Sequence, residues 1–319
     1  MTNANVFEAS LAADALSEEP SGVQERRLQV YSAEALRFAV GVEKVYVKHP
    51  QFALALQQLD RLFQLGTELT TPTGLRLVGP PGVGKTAILR YFRDSLPSSS
   101  LYDKPAGALA LRLPYRPYAG HLIRALLWQL KYPLTAGSQK QLYERRRVVF
   151  DAIKAKGTRI VIIDEAQHLV SRNSAGNPKT IEGDATEFLR ELIDETRVSL
   201  VLAGSQDLDG IGPAIDHLTS RVNSRLELSE FGLDPTWAGF LLGYCRQVTA
   251  FDLRFITESD TIAKLYLATK GNARQLRQLI VETVLIAADA GKRSVDYETL
   301  RLAYGRAFGD SSERSNPFV

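Results

Sequence analysis

Eight consecutive residues, Gly79, Pro80, Pro81, Gly82, Val83, Gly84, Lys85 and Thr86, have the types and spacing needed to hold phosphate. They fit the pattern GxxxxGK[ST], in which glycines let successive backbone N–H groups converge on phosphate oxygens with no side chain in the way. Lys85 has the reach to neutralise β and γ phosphates, and Thr86 offers a hydroxyl to Mg²⁺. The run LRLV before the loop reads as a buried strand and AILRYFRDSL after it as a helix. The loop, counted through Ala87, therefore opens a helix whose positive end faces the anion.

A second constellation supplies acids. Ile160, Val161, Ile162 and Ile163 carry Asp164 and Glu165 to the end of an apolar run, 79 residues after Lys85. Ligands of open α/β sheets bind at that carboxyl edge. There Asp164 is placed to hold Mg²⁺ through water, and Glu165 to orient and deprotonate an attacking water. The alternative is a strand ending in two solvated acids. Ser205 and Gln206 follow the next apolar run, VSLVLAG, where a polar residue can sense a γ-phosphate. Arg221 and Arg225, in LTSRVNSRLEL, are candidate arginine fingers for a neighbouring subunit's phosphate, with surface solvation as the alternative. Arg274, in GNAR, opens a later helix from which it could touch the nucleotide of its own subunit.

These residues need strands to present them and helices to cover the strands. Apolar runs at 75–78, 108–115, 159–164 and 198–204 alternate with helical patterns such as HLIRALLWQL, QLYERRRVVFDAIKAK and ATEFLRELIDE. That alternation predicts an α/β fold, a P-loop nucleotide-binding core with a parallel sheet flanked by helices. After Phe231 the strand signal ends, which predicts a small C-terminal helical lid. The expected organisation is a flexible tail at 1–22, an α/β nucleotide-binding domain at 23–230, and a helical lid with the C-terminal tail at 231–319. Val23 to Leu69 reads as mostly helical, with Leu54, Leu59, Leu62 and Leu65 able to share a face.

Composition narrows the class. No run of ~18 apolar residues is present, so no membrane span is expected. The first twenty residues lack the basic-then-apolar pattern of a secretory signal. A single cysteine, Cys245, rules out an intrachain disulfide; it sits in an apolar helical pattern as a core residue, and the reducing cytoplasm is the expected compartment. His49, His121, His168 and His217 are scattered, and no zinc cluster or Ser-His-Asp signature appears. The net charge of +3 conceals an asymmetry: Lys104 to Arg159 carries +10 and the rest of the chain −7. A localised basic excess suits a polyanion such as DNA, with solvated helix faces as the alternative. Within it, Lys104, Arg112 and Arg116 are interleaved with Tyr115, Tyr118 and prolines in a loop-like setting, and Arg146 lies in a second basic cluster, Arg145–Arg147. Such contacts would go mainly to phosphate and ignore base sequence.

GPPGVGKT, IVIIDEAQHL, VLAGSQ, LTSR and GNARQLRQLI, in that order, resemble an AAA+ ATPase. VKHPQF before the first strand, SRVNSRLELSEF and a C-terminal NPF make the chain similar to the TniB/TnsC family of bacterial transposition regulators. The resemblance spans about Tyr46 to Phe318. It implies an ATP- and Mg²⁺-dependent homo-oligomer, a hexameric or heptameric ring or a helical filament around double-stranded DNA. It also implies partners resembling the target selector TniQ and the transposase TnsB or TniA. Two other classes share much of the pattern: a replication initiator or helicase loader, and a secretion-type ATPase with only protein partners. DNA-stimulated hydrolysis separates the last from the others.

Overall fold

A computed structural model describes residues 30–70, 73–103, 106–132, 139–172, 178–180, 184–211, 218, 220–309 and 315–319, without side chains for 139–143, 170–172, 178–180 and 210–211. The tail at 1–22, Lys104 and His217 lie outside the described residues. The chain divides into two compact units. One comprises Tyr46–Phe240 with Lys270–Gln275; the other comprises the residues up to Val45, Leu241–Thr269 and Leu276–Val319.

The first unit is built on a five-stranded sheet. Its strands are β1 (Gly74–Val78), β2 (Ala108–Arg112), β3 (Ile160–Asp164), β6 (Ser199–Gly204) and β7 (Ser224–Glu227), in the order β2-β3-β6-β1-β7. Every neighbouring pair is parallel. A parallel sheet needs both faces covered, and the side-chain alternation of the strands shows how this is met. Leu75, Leu77, Ile160, Ile162, Val201 and Ala203 pack on one face with α2 (Pro50–Leu65) and α3 (Lys85–Ser95). Leu109, Leu111, Val161, Ile163, Leu200 and Leu202 pack on the other with α4 (Ala119–Gln129), α5 (Gln139–Ala155) and α6 (Asp184–Thr196). All four residues of Ile160–Ile163 are fully buried. At roughly 1.5–3 kcal/mol per buried side chain, this strand anchors the acids that follow it. The open edge of β2 is closed by Gln129, whose amide accepts from the N–H of Ala110 at 3.2 Å and donates to its carbonyl at 2.6 Å.

Two elements go beyond the apolar runs. A short antiparallel hairpin, β4 (Val170–Arg172) with β5 (Pro178–Thr180), follows β3. The edge strand β7 occupies the stretch that carries Arg225. On α2 the buried stripe is Phe52, Ala55, Leu59 and Leu62. Leu54 is 45% exposed, because it precedes Leu59 by five residues and so lies about 140° around the helix.

The second unit is helical: α1 (Ala33–Glu43), most of α7 (Pro235–Gln247), α8 (Ser259–Thr269), most of α9 (Ala273–Asp289) and α10 (Tyr297–Phe308). Helix α1 packs Ala35 and Ala39 against Leu285, and Phe318 near the C-terminus is fully buried against Tyr297 and Tyr304. No helix among the described residues is long and apolar enough to cross a membrane.

Candidate functional site

Strand order brings the chemistry together. β6 lies between β1 and β3, so the segments leaving the carboxyl ends of these three strands are neighbours. They are the phosphate loop, the acid pair and Ser205. The loop residues Gly79 to Gly84 run from β1 to α3, whose N-cap is Gly84. Lys85 folds its ammonium onto the loop, donating to the carbonyls of Gly79 at 2.6 Å and Pro80 at 2.9 Å. Burial lowers its pKa; the nearby Asp164 and Glu165 oppose that shift and Arg274 adds to it.

Thr86 Oγ1 donates to Asp164 Oδ2 at 2.7 Å. Two hard oxygens so placed fit Mg²⁺, which binds few protein groups and keeps waters and phosphate oxygens as its other ligands. No group of three or more His, Cys, Asp and Glu side chains able to hold a metal exists among the described residues.

Glu165 sits in the left-handed region, at φ 57, at the turn out of β3. Its N–H donates to Asp164 Oδ1 at 3.0 Å. Gln167 Nε2 donates to Glu165 Oε2 at 2.5 Å, and Arg112 Nη2 to Oε1 at 3.3 Å. The Gln167 hydrogen bond is the main cause that holds this carboxyl below its ordinary value; burial opposes it, and Arg112, His168 and Lys85 assist. Glu165 is thus ionised and able to accept a proton.

Asn272 was not singled out from sequence, yet it closes the phosphate loop from the far side. Its Nδ2 donates to the Pro81 carbonyl at 2.9 Å and to Glu230 Oε1 at 2.8 Å. Its Oδ1 accepts the N–H groups of Arg274 and Gln275, capping α9. A Cβ at Gly82 would stand 2.4 Å from Asn272 Oδ1, so this position requires glycine. The N–H of Arg274 donates to the Gly82 carbonyl at 3.0 Å, while its side chain is exposed.

His49 is a second residue that sequence left without a role. It lines a cavity of about 350 Å³ with Val47, Lys48, Pro50, Pro235, Thr236, Gly239 and Phe240. Its ring packs against Phe52, Phe231 and Phe240, and burial lowers its pKa to about 4, so it is neutral. Its buried Nδ1 has no hydrogen-bond partner among the described residues. Phe231 in turn bonds the Gly271 carbonyl, next to Asn272. This slot, mostly apolar but with Lys48 and Thr236 in its lining, has the chemistry to take a flat aromatic ring.

Residues 37–230 match the family model of the bacterial TniB protein. The chain belongs to the TniB family. Solved structures resemble it in fold. Cdc6p of Pyrobaculum aerophilum has a TM-score of 0.59 at 19% identity, over 86% of this chain and 72% of that one. The ORC2 protein of Aeropyrum pernix, in ADPNP-ADP complexes, gives 0.58 at 16%, over 85% and 72%. The ORC1 protein of the same organism, in complex with DNA, gives 0.58 at 17%, over 82% and 66%. No curated protein sequence matches. The fold of this TniB-family chain is that of the AAA+ ATPases.

The remaining candidates in the TniB-family chain are dispersed. Ser205 gives its N–H to Gln167 Oε1 at 3.2 Å and its hydroxyl to Asp207 at 3.1 Å; Gln206 turns to Glu227. Arg221 donates through Nε to Asp194 at 2.7 Å. Arg225 forms a fork with Asp209 and a further bond to Glu227. Among the residues expected to meet DNA, Arg112 is 76% exposed. Arg116 lies over the Tyr115 ring, and Tyr115 meets His168 edge-on. Tyr115 and Tyr118 are 74% and 47% exposed. Arg146 is different: it is 14% exposed and paired with Asp184 and, at 3.0 Å, with Glu191. Its guanidinium joins α5 to α6 and is committed inside the fold.

Proposed function

We propose that this TniB-family chain is an ATP-hydrolysing switch of DNA transposition, which assembles on duplex DNA without regard to base sequence. The assembly, a ring or filament, links a target-selecting protein resembling TniQ to a transposase resembling TnsB or TniA; these two partners follow from the family resemblance. Lys85 leaves the loop carbonyls to meet the β and γ phosphates. Thr86 and Asp164 would hold Mg²⁺, which would supply positive charge against the charge developing on the phosphates. Glu165 takes the proton of the water that attacks the γ-phosphorus as the bond to the β-phosphate oxygen breaks. His49 and the slot around it hold the base. A finger from a neighbouring copy, Arg221 or Arg225, completes the site.

The observation that carries the DNA-coupled reading is the Arg112–Glu165 ion pair. Arg112 ends β2 and leads into the exposed loop of Tyr115, Arg116 and Tyr118. One guanidinium therefore stands between the water-activating carboxylate and a surface suited to phosphate. An exposed ion pair is worth about 0–1 kcal/mol, so DNA phosphates held by several subunits can displace it. Fold neighbours solved with nucleotide and with DNA agree with such a role. ATP turnover measured with and without duplexes of unrelated sequence tests it. A several-fold change, equal for all duplexes, is expected, and turnover indifferent to DNA contradicts it. For transposition, insertion reconstituted with the cognate transposase should need this chain; insertion that proceeds equally without it contradicts that part.

A further inference from the structure

Gln167 has two polar ends, and both are engaged. Its Nε2 donates to Glu165 Oε2 at 2.5 Å, and its Oε1 accepts the backbone N–H of Ser205 at 3.2 Å. It lies in the short 3₁₀ turn Ala166–Leu169 that follows the acid pair, while Ser205 is the first residue beyond β6. The end of β6 is shaped for this side chain. A Cβ at Gly204 would stand 2.4 Å from Gln167 Oε1 and 3.0 Å from Gln167 N, so the amide crosses the strand end only over a glycine. The backbone of Glu165, at φ 57, is in a conformation that side chains rarely adopt, so contacts must hold its carboxylate in place. The two carboxylate oxygens are wired differently: Oε1 to Arg112 and the exposed loop, Oε2 through Gln167 to the strand between the phosphate loop and the acids.

We infer that Gln167 is a positioning residue that ties the Glu165 carboxylate to the end of β6 and aims it at the water. The inference rests on Glu165 acting as the base in the hydrolysis proposed above. Gln167 touches no reacting atom. Its amide carries any displacement of Ser205 to Glu165, so a γ-phosphate approaching the end of β6 and the base move together. Neither an aliphatic nor an acidic residue of the same length can do this. The first has no polar ends, and a carboxylate facing both Glu165 and Ser205 lacks the donor that Oε2 requires.

Steady-state ATP hydrolysis by the full chain on duplex DNA tests this, with Glu165→Gln as control. Gln167→Ala should lower kcat about 10- to 100-fold and leave KM for ATP within about twofold, because aim is lost while phosphate binding is kept. Gln167→Glu, equal in size, should lose as much; it also carries the test if Gln167→Ala fails to fold. Gly204→Ala should lower kcat by displacing the amide, and the double variant with Gln167→Ala should be no slower than the slower single variant, because both changes break one contact. Wild-type kcat in Gln167→Ala or Gln167→Glu beside an inactive Glu165→Gln overturns the inference alone. Multiplying losses in the double variant, or losses seen in KM rather than kcat, also overturn it. A wild-type chain without turnover, or Glu165→Gln with full turnover, overturns the hydrolysis reading and the inference with it.

Discussion

The groups around the phosphate loop and the two candidate fingers are organised in opposite ways. At the loop, one chain supplies partners that point into a common site: Thr86 to Asp164, Gln167 to Glu165, Asn272 to Pro81. At the candidate fingers, the same chain supplies partners that hold the guanidinium groups in ion pairs: Asp194 for Arg221, and Asp209 with Glu227 for Arg225. The first arrangement is pre-organisation, which in the proposed function would let nucleotide bind to a lone subunit. In the proposed function, the second parks a charge until a neighbour offers a better anion. The two parked arginines are not equivalent. Arg225 sits on β7 in register with Arg76, and Asp209 serves both. Its pKa is raised further, chiefly by the hydrogen bond to Asp209 and then by that to Glu227. Arg221 shares Asp194 with Arg190 and stands just before β7, an arrangement that would suit the release the proposed finger role requires.

Changes at the loop should give the largest effects. Lys85→Ala should weaken nucleotide binding by two or more orders of magnitude, about 3 kcal/mol, because nothing else in the loop carries a full positive charge. Equilibrium binding of a fluorescent ATP analogue checks this. Glu165→Gln should leave that affinity near wild type and lower turnover about 10²–10⁴-fold, since only the proton acceptor is lost. Assemblies of this variant on DNA should then outlast those of the wild type in the presence of ATP. Arg221→Ala should remove most turnover with nucleotide affinity unchanged, whereas Arg225→Ala should show mainly as a lower melting temperature, since it strips Asp209 and Arg76 of a shared neighbour. The reverse pattern would assign the finger to Arg225.

The exposed loop is a third regime, neither pre-organised around nucleotide nor parked. Arg112→Ala with Arg116→Ala should weaken binding to all duplexes alike. If each contacts one phosphate, the slope of log affinity against log salt should flatten by about 1.8. Superimposable salt titrations would remove this loop from DNA. The smallest effect is at His49. Its folded pKa, about 4, lies below the ordinary 6.5, so the folded state favours the neutral ring. That contribution is complete above pH 6.5 and is lost as pH falls toward 4, on the order of 2 kcal/mol after allowance for partial exposure. The stability of wild type should fall more steeply than that of His49→Phe over that interval, as read by urea melts.

What the sequence made legible follows burial. β1, β2, β3 and β6 are apolar runs because both faces of a parallel sheet are covered, and the loop and acid pair are read from their ends. β7 is a partly solvated edge whose residues Ser224 to Glu227 alternate half-buried and exposed, so no apolar run announces it. The three-residue strands β4 and β5 are too short to show a period. Asn272 and His49 acquire their places from contacts far along the chain; Asn272 bonds Pro81 across 191 residues. The sequence singles out Arg146 from its basic cluster as a DNA contact, but the acids on α6 that pair with it come from a distant stretch of sequence.

The contrast between a site built in one chain and a finger held in reserve is tested most directly by mixing two inactive variants on duplex DNA. Lys85→Ala keeps an intact Arg221, and Arg221→Ala keeps an intact phosphate loop. When they mix at random in equal amounts, roughly a quarter of interfaces pair an intact loop with an intact finger. ATP turnover in the mixture should therefore rise well above that of either variant alone and peak near equal proportions. Turnover that stays at the sum of the two separate variants at every ratio would contradict a site completed by a second copy through Arg221.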